Sequence, residues 1–226
     1  MSSVYFQIGT NNGNDQFRKI VIDNKPDVVI LVEPNSSLIE EIRENYNGIP
    51  NVHIYNNAIY YRNDESITLF MPSKDGVLNG EFGLPAENGH IYQHGNFSLV
   101  PMNDWGKKED MAKFTAKSIT FDEICSRHNI TNIEYLQIDT EGFDSEIIKM
   151  IDLSKYKINQ IRFEKWPFKQ ECFTNYNSDL VNELGLNGMN QVKAKLLEHN
   201  YILYDISDID GDDIIAIRAD STQSVF

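Results

Sequence analysis

Ile133-Glu134-Tyr135-Leu136-Gln137-Ile138-Asp139-Thr140-Glu141-Gly142-Phe143-Asp144-Ser145-Glu146-Ile147-Ile148 decides the reading of this chain. Tyr135 to Ile138 is a short apolar run followed by a breaker, which predicts a buried strand. Ile147, Ile148 and Ile151 recur at helical spacing, so a helix follows. Asp139 and Glu141 lie two residues apart. A strand that persisted that far would turn both to one side at its carboxyl end, where open α/β sheets bind ligands. The same acids would also serve simply to begin a helix, whose dipole favours them. The rest of the chain has to choose.

Upstream, Val4 to Ile8 predicts a strand that runs into the Gly- and Asn-rich loop Gly9 to Asp15. Phe17, Ile20 and Val21 give a helical face ended by Lys25-Pro26. Val28 to Val32 is a continuous apolar strand of the kind buried on both faces of a parallel sheet. Ser37 and Glu40 form a capping-box pattern, with Leu38, Ile39, Ile42 and Tyr46 as the inner face of the next helix. Val52 to Tyr55 is the third strand and leads to Asn56-Asn57-Ala58. Strand and helix alternate with short connections, which predicts a parallel sheet covered by helices through right-handed crossovers.

From Tyr60 to Lys117 the rhythm breaks. Ser66 to Met71 is a strand candidate, and 72–117 reads as an ordered insertion or lid carrying interleaved aromatics. Regular structure is expected to resume at Ser118, with a capping box at Thr120 to Glu123. Ile158 to Glu164 is a further strand, and Val192, Leu196 and Leu197 mark a helix. Tyr201 to Tyr204 and Asp213 to Ile217 form a closing antiparallel pair. The expected organisation is one domain over residues 1–220, with a loose tail at 221–226.

Composition narrows the function classes. Lys+Arg number 20 against 34 Asp+Glu, a formal net charge of −14. Without a basic run, such a chain is expected to bind neither nucleic acid nor anionic membrane. Cys125 and Cys172 have no partners at metal-ligand spacing and are expected to be reduced thiols. The N-terminus lacks a signal-peptide pattern, and no apolar run is long enough to span a bilayer. A cytoplasmic protein is the expectation.

Gly9 and Gly13 let the first loop turn sharply and approach a ligand, with a helix beginning behind it. The spacing is not that of the dinucleotide fingerprint, which argues against nicotinamide or flavin binding. Glu33 ends the second strand, 24 residues beyond Gly9. An acid there is placed to accept hydrogen bonds from two ribose hydroxyls, or else is a solvated strand end. Asn57 and Ala58 would flank an adenine, or form an ordinary turn.

Together, Gly9-Thr10-Asn11-Asn12-Gly13, Val32-Glu33-Pro34, Asn57-Ala58, Thr120 to Glu123 and Leu136 to Gly142 resemble the ordered motif series of the FkbM-type methyltransferases. The resemblance runs from about Val4 to Glu164. It implies a Rossmann-like class I methyltransferase fold, α/β, with a mostly parallel seven-stranded sheet and a C-terminal antiparallel hairpin. It implies S-adenosylmethionine as cofactor, held by Gln7, Gly9, Asn11, Gly13, Glu33, Pro34, Asn57, Ala58 and Asp139. It also implies O-methylation of a small-molecule or glycan hydroxyl, typically on a sugar or natural product. Two positions depart from the family: Gln7 replaces an acidic residue and Gln137 a lysine.

Within that resemblance Asp139 is the first candidate for catalysis, as base or as anchor of the acceptor hydroxyl, and Glu141 is the second. Glu164 would line the same pocket. Those three carboxylates could hold a divalent cation, but their spacing in sequence does not call for one, and no metal is expected. His90 and His94 would reach the acceptor from the insertion or remain surface residues. Trp105 and Trp166 would stack on a sugar ring or pack locally. The alternative reading, motivated by Gln7 and Gln137, is a non-catalytic binding or assembly module that retains the cofactor pocket.

Overall fold

A computed structural model describes residues 2–71, 112–165, 186–208 and 211–221. Strands β1 (Val4–Ile8), β2 (Val28–Val32) and β3 (Val52–Tyr55) alternate with helices α1 (Gln16–Asn24) and α2 (Ile39–Asn45). The short strand β4 (Ala58–Ile59) precedes β5 (Ser66–Met71) and β6 (Ala112–Ile119). Then come α3 (Phe121–Arg127), β7 (Asn132–Ile138), α4 (Asp144–Met150), β8 (Lys157–Glu164), α5 (Leu186–Glu198), β9 (Tyr201–Asp208) and β10 (Gly211–Arg218).

Seven strands form the main sheet in the order β3-β2-β1-β7-β8-β10-β9. The pairings from β3 through β8 are all parallel, and β10 runs antiparallel to both its neighbours. The sheet therefore has the mostly parallel architecture that the motif series implies. β7 lies at its centre and buries apolar side chains on both faces, Leu136 and Ile138 in one cluster and Tyr135 in the other, as a strand covered on both sides requires.

The two faces bury different sets. On one, Phe6, Ile30, Leu136, Ile161 and Ile214 meet Phe121 and Ile124 of α3, Ile147 and Ile148 of α4, and Val192 and Leu196 of α5. On the other, Tyr5, Leu31 and Tyr135 meet Phe17 of α1 and Ile42 and Tyr46 of α2. Stacked rings join sheet to helix on each side: Phe6 on Phe121 at 5.1 Å and Phe17 on Tyr135 at 5.8 Å.

Several expectations need correction. β6 begins at Ala112, six residues before Ser118, so the last part of the 72–117 insertion is a strand. Ala112-Lys113-Phe114-Thr115-Ala116-Lys117 alternates apolar and polar residues, a period-2 signal the motif reading passed over. β6 pairs antiparallel with β5 and parallel with β4 in a small second sheet. Ser37 does not cap α2. Asn35 accepts from the Ser37 backbone N–H (3.1 Å) and hydroxyl (2.8 Å), and Ser36–Leu38 forms a 3-10 turn. An Asx side chain within two residues competes well for that N–H. Thr120 does accept from the Glu123 N–H at 3.1 Å, but the Glu123 carboxylate takes Arg127 at 2.9 Å. Val192, Leu196 and Leu197 do fall in a helix, α5; Leu197 is on its exposed side, and Met189 joins Val192 and Leu196 in the core. The closing hairpin is longer at both strands than its apolar centres suggest.

α4 carries the end of the decisive stretch, and α5 holds it. Lys195 of α5 donates to the Ile148, Lys149 and Ile151 carbonyls at 3.0, 2.7 and 2.6 Å. The last carbonyls of a helix have no partner within it, so one ammonium serves several of them at once. Lys195→Met keeps the aliphatic stem and removes these donors. It is expected to cost about 1–3 kcal/mol of stability, read by urea unfolding at an unchanged m-value.

Candidate active site

The loops after β1, β2, β3 and β7 meet at the carboxyl edge of the sheet. Gly9 adopts φ +81°, and a Cβ built on it would lie 1.7 Å from the Asp139 carbonyl oxygen. Only glycine lets these two loops touch. The Gly9 N–H donates to the Val32 carbonyl (2.9 Å) and the Asp139 N–H to the Ile8 carbonyl (2.9 Å), so the ladders run one residue past the strands. Asn12 reaches Glu41 at 3.0 Å, and Asn45 reaches the Asn12 carbonyl at 2.8 Å, which ties the loop to α2.

Glu33, 2% exposed, accepts the Asn11 N–H on one oxygen and the Asn35 N–H on the other, each at 2.8 Å. Burial pushes its carboxyl up to about 7 against the pull of those two N–H groups. A carboxylate offers about four acceptor positions, so two remain for a ligand's hydroxyls. Asn56, which the sequence did not single out, donates to the Glu33 and Pro34 carbonyls at 2.9 and 3.1 Å.

A cleft of about 190 Å³ opens here. Gly9, Asn11, Glu33, Asn57, Asp139, Thr140 and Glu141 supply its polar lining. Pro34, Ala58, Ile59, Leu69, Phe143 and Ile147 supply its apolar lining. Phe143 is backed by Tyr60, stacked at 5.9 Å. Asn57 is anchored through its amide to the Lys117 carbonyl at 3.2 Å. The mixed polar and apolar lining and the glycine cradle suit a nucleoside with a charged tail.

The strand does not persist beyond Ile138. Glu141 and Gly142 take φ of 54° and 107°. Asp139 and Glu141 therefore share the cleft through a loop, not through strand alternation. Asp139, Glu141 and Glu164 each place a carboxylate oxygen within 4.8 Å of the others. Such a set could hold a divalent cation or a cationic organic group. The Asp139 carboxyl is enclosed by protein yet reached through the cleft. It is pushed up by burial first, then by Asp144, Asp15 and Asp213, with Arg162 pulling the other way. Arg162 is itself bound to Asp213 at 2.6 Å.

Other predicted residues fall elsewhere. Gln7 is fully buried beneath the loop, outside the cleft lining, and gives its amide N–H to Asp15 at 2.5 Å. Gly13 also lies outside the lining, and a Cβ built on it would lie 3.0 Å from the Tyr46 ring. Gln7 and Gln137 are register partners across β1 and β7. His90, His94, Trp105, Trp166 and Cys172 lie outside the described residues, while Cys125 is a buried free thiol. Thr140, Phe143 and Asp144 were missed, though they stand within the quoted stretch. Among the described residues no helix is long and apolar enough to cross a membrane.

A model of the methyltransferase FkbM domain matches residues 7–203. The chain belongs to that family. This FkbM-type domain is thus an S-adenosylmethionine-dependent methyltransferase. Among solved structures it is similar to a precorrin-6y C5,15-methyltransferase from Geobacter metallireducens (11% identity, 96% of this chain and 81% of that one, TM-score 0.44). It is also similar to an O-methyltransferase from Bacillus cereus (9%, 96% and 74%, 0.43). A third likeness is to the fibrillarin of Methanococcus jannaschii (10%, 96%, TM-score 0.40), of which it spans 66%. No curated protein matches the sequence.

Glu33 makes a pH prediction for the FkbM-type domain. A carboxyl raised on folding stabilises the fold while protonated, below its usual 4.5, and loses that contribution as pH climbs through 7. Glu33→Gln should therefore gain on wild type by up to about 3 kcal/mol between about pH 5 and about pH 8. Urea unfolding of the ligand-free protein measures it. A pH-independent difference would remove Glu33 from the titration.

Proposed function

We propose that this FkbM-type methyltransferase methylates a hydroxyl oxygen on a sugar or glycan. The observation that carries the reading is the convergence of Asp139, Glu141 and Glu164 at a cleft that Glu33 and Gly9 also line. Glu33 would hold the ribose hydroxyls on its remaining acceptor positions, and the Gly9–Asn11 backbone would lie along the amino-acid end. Pro34, Asn57 and Ala58 would enclose the base, with Phe143 and Ile147 behind it. Gln7 and Gly13 would contribute from beneath, by fixing the loop.

S-adenosylmethionine supplies an activated methyl whose leaving group is a neutral thioether. What the chain must add is alignment and a proton acceptor. Fixed orientation can account for about 7–11 kcal/mol of a displacement barrier. As the acceptor oxygen gains its bond to carbon and the carbon–sulfur bond breaks, the hydroxyl proton passes to a carboxylate. Asp139 suits that role when ionised: its raised pKa makes the carboxylate a stronger base than an exposed aspartate, and the sulfonium charge beside it would favour the ionised form. Glu141 is the second candidate, or orients the loop. Glu164 would face the acceptor side. The acidic lining also suits the positive charge of the cofactor.

Either S-adenosylmethionine or S-adenosylhomocysteine at about 100 times its Kd should stabilise the fold by about 2.7 kcal/mol, and Glu33→Ala should abolish most of that shift. Asp139→Asn should lower turnover by about 10²–10⁴-fold with far less effect on cofactor affinity. The acceptor class is read by transferring labelled methyl to sugars, amines and carboxylates. A base-stable ether supports the proposal, and an N-methyl or methyl-ester product overturns it. Cofactor binding without transfer to any acceptor would favour the binding-module alternative.

A further inference from the structure

Asp144, the first residue of α4, is fully buried, and its carboxylate gathers three donors. One oxygen takes the Thr140 N–H at 3.1 Å and the Thr140 hydroxyl at 2.5 Å. The other takes the Glu164 N–H at 3.3 Å. One side chain thus ties the loop bearing Asp139 and Glu141 to the strand end bearing Glu164. Ladder hydrogen bonds cannot do this. The β7–β8 register ends at Ile138 and Phe163, and Glu141 and Gly142 turn away with positive φ. Thr140 also faces the glycine loop: its methyl carbon Cγ2 lies 3.5 Å from where a Gly9 Cβ would stand.

A buried carboxylate is an expensive way to begin a helix, since an apolar residue would fill the space without desolvating a charge. Its placement against Asp139 also adds negative potential at the cleft and helps to raise the Asp139 carboxyl. We infer that Thr140 and Asp144 are positioning residues whose hydrogen-bonded brace sets the spacing of the Asp139, Glu141 and Glu164 carboxylates. Its functional consequence rests on the methyltransferase reading. A tight carboxylate set favours the sulfonium-bearing S-adenosylmethionine over S-adenosylhomocysteine, whose sulfur carries no charge, so the brace tunes selection of cofactor over product.

Thr140→Val is the clean probe, because it keeps Cγ2 and replaces only the hydroxyl. Thr140→Ser is the rescue, because it keeps the hydroxyl. Calorimetric titration should show Thr140→Val binding S-adenosylmethionine about tenfold more weakly, as expected for a lost charge-assisted hydrogen bond felt at the site. S-adenosylhomocysteine should change by less than about threefold, and Thr140→Ser should restore the wild-type ratio. A merely structural brace would weaken both ligands equally. That outcome, no change in either, or failure of Thr140→Ser to restore the ratio, overturns the inference. A crystal structure of ligand-free Thr140→Val gives a second readout. The three carboxylates should spread beyond their 4.8 Å grouping, and an unchanged grouping also overturns it. Wild-type protein that binds neither nucleoside would remove the methyltransferase reading, while the crystal structure would still decide the brace.

Discussion

The contact between Gly9 and the Asp139 carbonyl governs the geometry of this molecule's carboxyl edge. Two loops from adjacent central strands pass so close that any side chain on the first would occupy the second's backbone. Glu33 and Asp139, at the ends of the strands that flank β1, both line one cleft. The approach also aligns the Asn11 N–H with the Glu33 carboxylate at 2.8 Å. The sheet supplies the strands' order, but this single contact supplies the distance between their ends.

Much of the fold was legible because its strands are simple. β1, β2, β3 and β5 begin and end where apolar runs meet Gly, Pro or polar residues. The mistakes have local physical causes. At Ser37, an Asx turn from Asn35 captured the N–H that a capping box needed. At Ala112 to Lys117, small and charged residues masked an alternating pattern that only pairing with β5 makes visible. The carboxyl-edge residues were legible where their types are distinctive, as with Gly9, Glu33 and Asp139. Asp144 was not, because an acid at a helix start has an ordinary explanation until three donors are seen to converge on it. The placement of Gln7 could not be read either, since its orientation depends on Asp15, eight residues away.

The two departures from the family pattern acquire a common account. Gln7, Gln137 and Arg162 lie in one row across β1, β7 and β8. An acid at the first position and a lysine at the second would be direct neighbours. Exchanging both for glutamine removes one charge of each sign, so the net charge of the row is unaltered. The row carries one cation, Arg162, which Asp213 engages. The two glutamines therefore form a neutral pair beside a compensated cation.

The placement of β10 has a consequence for assembly. It lies between β8 and β9, although it follows both in the chain. β8 and β9 are therefore joined through that later strand, which pairs with both. Asp213 arrives with it, so Arg162 gains this partner only at that stage. As the chain emerges from a ribosome, the glycine loop, Glu33 and Asp139 are all synthesised well before the strand that completes the charge balance beneath them. The β9–β10 pairing is local, whereas the β10–β8 pairing joins segments far apart in sequence, the kind of contact that forms more slowly. The carboxyl edge of the sheet therefore gains its full charge balance only once the closing hairpin has docked on β8.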